Sequence, residues 1–163
     1  MKKFILYMLL IAVVTAVIVF AINTDNRIPL IDGLRFDMSP KQAAKILGQP
    51  CSIQQDVKEK MEYTFKTDVL GKEATVRCYF LKDRRLTDVY IYWEKNFEGL
   101  HQSAYDSLYD HYHDKKYFFG GCGAQLNTAE KHSSIGTDNG STGMFYDIYE
   151  TDSKLHISCI NLK

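Results

Sequence analysis

The run MEYTFKTDVLGKEATVRCYFLKDRRLTDVYIYW, residues 61–93, decides the fold. In Met61-Glu62-Tyr63-Thr64-Phe65-Lys66 apolar and polar side chains alternate, and a period of two sends them to opposite faces of a strand. Gly71 marks a turn. From Glu73 to Leu81 the residues Ala74, Val76, Cys78 and Phe80 share one face, with Thr75, Arg77 and Tyr79 opposite. Lys82-Asp83-Arg84-Arg85 supplies the next turn, and Leu86 to Trp93 reads as a third strand. Consecutive strands with one wet face form an antiparallel meander.

Just upstream, Ser39 is a good N-cap, Pro40 suits the first helical position and Gln42 completes a capping box. Ala43, Ile46 and Leu47 make a narrow apolar stripe before Gly48 and Pro50 stop the helix. Two turns are too short to stand alone, so this helix must pack on the meander. Downstream the period lengthens. Phe97, Leu100, Ala104, Leu108 and Tyr112 recur at three and four residues, which predicts a helix of about five turns from Asn96. Residues 120–141, rich in Gly, Ser, Thr, Asn and Asp, read as a long surface loop with room for one short strand. Gly143 to Glu150 and Lys154 to Leu162 form a closing hairpin across Thr151-Asp152-Ser153.

The expected class is α+β, in the order α-β-β-β-α-β-β, an antiparallel sheet with helices on one face. Helix followed by strands occurs twice, a faint duplication. One domain, residues 33–163, follows a connector at 23–32, and a domain of that size folds without a staple.

Residues 4–22 (FILYMLLIAVVTAVIVFAI) carry no charge. As a helix they would extend about 28 Å, against a hydrocarbon core of roughly 30 Å. With Lys2 and Lys3 ahead of the run, the positive-inside bias predicts a single-pass anchor in the cell membrane. The N-terminus is then cytoplasmic and the C-terminal domain extracytoplasmic. A cleaved signal ending near Val19-Phe20-Ala21 competes, but the apolar run exceeds the usual signal core. No cysteine follows it at once, which excludes lipoprotein processing.

Gly33, Met38, Ser39, Leu47, Gly48 and Pro50, followed by a Tyr/Phe-rich meander, resemble the BamE-like (SmpA/OmlA) and β-lactamase-inhibitor-protein-like superfamily of small exported domains. The resemblance implies a binding role at the cell envelope, as an assembly factor, inhibitor or accessory subunit. The chain departs from that pattern in lacking a lipobox cysteine and in showing no clear motif over residues 96–163.

Composition narrows the partners. Twenty basic and twenty acidic residues cancel, and no Lys/Arg cluster exists to grip a phosphate backbone, so nucleic acid is set aside. The expected partners are the membrane, through residues 4–22, and another envelope protein. Tyr79, Tyr90 and Tyr92 fall on the sheet face away from the helices, with Tyr146 and Tyr149 near them. Tyrosine gives contact area at small entropy cost, so this is the expected interaction face.

An even count of cysteines outside the cytoplasm favours disulfides among Cys51, Cys78, Cys122 and Cys159. Of three pairings, the duplicated layout suggests Cys51–Cys78 with Cys122–Cys159. Asp106, Asp110, His113 and Asp114 lie three or four residues apart on one helix side, a spacing that could hold a divalent cation but more often makes a solvated face. Gly120-Gly121-Cys122-Gly123 follows a helix instead of preceding one, which defeats a phosphate-loop reading. No G-x-S-x-G, H-E-x-x-H or Cys/His signature occurs, and His132, Ser133 and Ser134 are neighbours in sequence, which seldom converge. The expectation is a non-enzymatic interaction module without cofactor. A ligand- or cation-sensing domain and a hydrolase or redox enzyme are the alternatives.

Overall fold

The computed structural model describes residues 5–14, 26–55, 60–81, 85–112, 122–125, 131–138 and 143–161. Among these residues three helices and eight strands follow in the order α1 (residues 5–14), α2 (Pro40–Leu47), β1 (Ser52–Gln55), β2 (Met61–Val69), β3 (Lys72–Phe80), β4 (Leu86–Trp93), α3 (Leu100–Tyr112), β5 (Cys122–Gln125), β6 (His132–Asp138), β7 (Gly143–Glu150) and β8 (Leu155–Asn161). The strands form one sheet in the order β1-β2-β3-β4-β8-β7-β6-β5, and every neighbouring pair is antiparallel. Each half is a helix followed by a four-strand meander, and the halves meet where β4 pairs with β8.

The order α-β-β-β-α-β-β is therefore corrected. β1 was not foreseen, and β5 and β6 run through what reads as loop, because polar residues there hide the period of two. The membrane anchor is corrected as well. No helix among the described residues is long and apolar enough to cross a membrane. The described helix at 5–14 rises about 15 Å, half a bilayer core, and residues 15–22 of the apolar run lie outside the described residues. The single-pass localisation built on that run has no support in the structure.

One face of the sheet carries the core. Ala74, Val76, Cys78 and Phe80 of β3, Leu86, Val89, Ile91 and Trp93 of β4, and Leu155, Ile157 and Cys159 of β8 are all buried. Ala43 and Leu47 of α2 and Leu100, Ala104, Leu108 and Tyr112 of α3 cover them. At the start of α2 Gln42 works as foreseen: its Oε1 accepts from the Ser39 backbone N–H and hydroxyl, each at 2.9 Å.

Part of the expected connector belongs to the core. Ile28, Leu30, Ile31, Leu34 and Phe36 are buried, and the loop closes on itself through Ile28 N to Leu34 O at 2.9 Å and Phe36 N to Asn26 O at 2.8 Å. The far half clasps this loop. The Tyr112 and Tyr146 hydroxyls stand 2.7 Å apart and both reach the Arg27 carbonyl, at 3.0 and 3.2 Å.

Candidate functional site

α2 and α3 pack on the core side, and neither covers the other face of the sheet. Alternation along β2, β3, β4, β8 and β7 dictates what stands there: Glu62 and Thr64, Arg77 and Tyr79, Tyr90 and Tyr92, His156, then Phe145 and Tyr149. Four rings form a continuous layer. His156 stacks on Tyr92 at 4.9 Å and 7°, and on Tyr90 at 5.9 Å and 22°. Tyr79 meets Tyr90 edge-on at 5.4 Å. The Arg77 guanidinium lies 5.1 Å from the Tyr92 ring centre, within cation–π range.

Charge locks this layer in place. The Tyr79 hydroxyl donates to Glu62 Oε2 at 2.6 Å, and the Thr64 hydroxyl donates to Glu62 Oε1 at 3.2 Å. Arg77 Nε stands 3.7 Å from the same carboxylate. Burial first, and then Glu62, push the Tyr79 phenol far up, so it stays a donor at neutral pH. Burial and then Lys154 hold the His156 imidazole below its ordinary value, while Asp147 pulls it the other way. Its Nε2 is enclosed and has no hydrogen-bond partner among the described residues.

Towards the second half the face becomes more exposed. Tyr149 is 47% and Phe145 36% accessible. His132 Nε2 pairs with Asp147 Oδ1 at 2.5 Å and sets its ring edge-on to Tyr149 at 5.8 Å. At the opposite end, a recess of about 550 Å³ opens beside the β2–β3 turn between Lys66, Thr75, Tyr92 and Lys95.

The structure thus places Tyr79, Tyr90, Tyr92 and Tyr149 on the open face. Tyr146 is corrected: it is fully buried on the helix side, hydrogen-bonded to Tyr112. In β7 the residues Met144, Tyr146 and Ile148 form the inward set, so Tyr146 cannot share a face with Tyr149. His156 was missed, although the period of two in Leu155-His156-Ile157 already points it outward.

Cys51, Cys78 and Cys159 are free thiols, the first exposed and the others buried. Burial pushes the Cys78 and Cys159 thiols well up, which keeps them protonated and inert. Both suggested bridges give way. Cys122, whose side chain lies outside the described residues, is three strands from Cys159, about 14 Å at ordinary strand spacing and beyond disulfide reach. Of the metal candidates, Asp106 accepts from Gln102 Nε2 at 2.6 Å and Asp110 is solvent-exposed. His113 and Asp114 lie outside the described residues.

Beneath α3 the fold gathers three residues that the sequence kept apart. His101 Nε2 lies 2.8 Å from Ser133 Oγ, and His101 Nδ1 lies 3.4 Å from Glu150 Oε2. This is the connectivity of a serine–histidine–carboxylate relay. Ser133 is only 2% exposed, however, and His101 5%, so with α3 seated no substrate carbonyl can approach the hydroxyl. In this state the relay fastens helix to sheet. His101 sits three, four and seven residues before Ala104, Tyr105 and Leu108, a spacing that already assigns it to the buried helix face.

No protein-family model matches the chain, and no curated protein does. One solved structure is similar, an extracellular protein containing a SCP domain from Bacillus anthracis str. Ames, with a TM-score of 0.37 and 9% identity. The match covers 76% of this chain and 43% of that one, and at this similarity it carries no functional weight.

Proposed function

We propose that the chain is a non-enzymatic interaction module that binds another protein through the open face of its sheet. The observation that carries this reading is the aromatic layer of Tyr79, Tyr90, Tyr92 and His156, continued by the exposed Phe145 and Tyr149, on the face that neither α2 nor α3 covers. The rings are held by one another and by Glu62 and Arg77, so little side-chain entropy remains to be lost on docking. Such pre-ordered tyrosines, rich in area and carrying a polar tip, are what recurs at binding hot spots. The resemblance of residues 33–50 to the BamE-like superfamily points to the same class of role.

The test is photo-cross-linking in intact cells from a probe at Phe145, in the wild-type background and with Tyr92→Ala and Tyr149→Ala. The expected result is one dominant adduct that weakens at least tenfold in the variants, while the purified chains melt within a few degrees of wild type. An adduct pattern indifferent to both substitutions would end the proposal.

A further inference from the structure

We propose that the Ser133–His101–Glu150 relay is an acid-sensitive latch that holds α3 onto the β6–β7 side of the sheet. The three groups come from three places: His101 from the first turn of α3, Ser133 from β6 and Glu150 from the end of β7. With the proton on Nδ1, which lies 3.4 Å from Glu150 Oε2, the neutral ring presents Nε2 as acceptor for the Ser133 hydroxyl at 2.8 Å. Charging the ring reverses that bond, so that Nε2–H donates to the Ser133 hydroxyl oxygen, and places a cation in a site that is 5% exposed.

The surroundings set the direction. Glu150 from β7 lies beside His101 and favours the charged ring, while His132, on the other face of β6, opposes it through its charge. Lys131, paired to Asp152 at 2.9 Å, faces Glu150 in turn, and His132 is itself bound to Asp147. Burial outweighs Glu150, so His101 takes up a proton less readily in the fold than when released. A base with a lowered folded pKa contributes stability that is complete above its unfolded value, about 6.5, and declines as pH falls below it. Acid therefore favours release of α3.

The latch has a consequence for the open face, and that part rests on the binding reading above. His132 and Ser133 are consecutive in β6 and point to opposite faces, so the strand fastened to α3 on one side carries the His132–Asp147–Tyr149 cluster on the other. Loosening α3 loosens the platform under that cluster.

Hydrogen exchange of the intact chain, without a partner, tests the latch independently of the face. Exchange of the α3 amides, corrected for the intrinsic effect of pH, is compared at pH 7.5 and pH 5.0. Wild type is expected to open more at pH 5.0, by up to about thirtyfold, the ceiling for a histidine of pKa near 6.5 that charges only when released. Glu150→Gln, which removes the favourable counter-charge, should enlarge the ratio, and His101→Gln should bring it to about one. A wild-type ratio below about twofold, or one that survives in His101→Gln, overturns the latch. If His101→Gln fails to fold, the Glu150→Gln comparison decides alone.

Discussion

Replacing Tyr112 and Tyr146 by phenylalanine, singly and together, probes how the far half grips the residue 26–36 loop. The two hydroxyls are 2.7 Å apart and each lies within reach of the Arg27 carbonyl, at 3.0 and 3.2 Å. Two protons can make two hydrogen bonds here, one between the rings and one to the carbonyl. Either single change leaves the surviving hydroxyl free to donate to Arg27, so one net hydrogen bond is lost, at a cost of about 1 kcal/mol. The double change loses both bonds and takes both tyrosine donors from a part-buried carbonyl. That adds a desolvation penalty of about 1–2 kcal/mol, for a total of about 3–4 kcal/mol. The assay is urea unfolding followed by the emission of Trp93, the sole tryptophan and fully buried. With a slope of about 2 kcal/mol per molar, each single variant shifts the midpoint by about 0.5 M and the double by 1.5 M or more. A double variant no worse than the sum of the singles would refute the shared-carbonyl account.

Trp93→Phe removes an indole N–H that is buried without a partner among the described residues. The expected cost is under about 1.5 kcal/mol by thermal melting, because a desolvated donor offsets the lost ring volume, and a loss above 3 kcal/mol would contradict it. Gly71→Ala forces a side chain to φ +75° in the β2–β3 turn, where nothing crowds the new methyl, so a cost of about 1 kcal/mol measures backbone strain alone. Gly136→Ala, at ordinary φ with its new methyl 3.6 Å from the Phe145 ring, should instead stabilise by roughly 0.5 kcal/mol; equal melting temperatures for the two would sink the distinction. A fluorophosphonate probe should leave the chain unmodified, since Ser133 is sealed under α3, and stoichiometric labelling of Ser133 would reopen the enzymatic reading.

What could be read from the chain was what local periodicity encodes. Leu86 to Trp93 keeps its predicted bounds, and the capping of α2 follows from Ser39, Pro40 and Gln42. β1, with Ser52-Ile53-Gln54-Gln55, is too short and too exposed to write an alternation into four letters. β6 hides because Ser133, Gly136 and Thr137 can fill strand positions without looking apolar. The open-face tyrosines were legible from parity alone, and Tyr146 was misplaced by proximity in sequence where parity was the better guide. The His101–Ser133–Glu150 relay was out of reach. His101 and Ser133 are 32 residues apart, Glu150 follows 17 residues after Ser133, and only strand pairing and the seating of α3 bring them together.

The pairing of β4 with β8 has a consequence for how this chain is made. A ribosome releases the first meander well before residues 155–161 emerge, so throughout that interval the β4 ladder presents unsatisfied amides to its surroundings. The last strand is therefore the closing seam of the whole sheet, and nascent chains halted before it should be the aggregating and chaperone-bound ones.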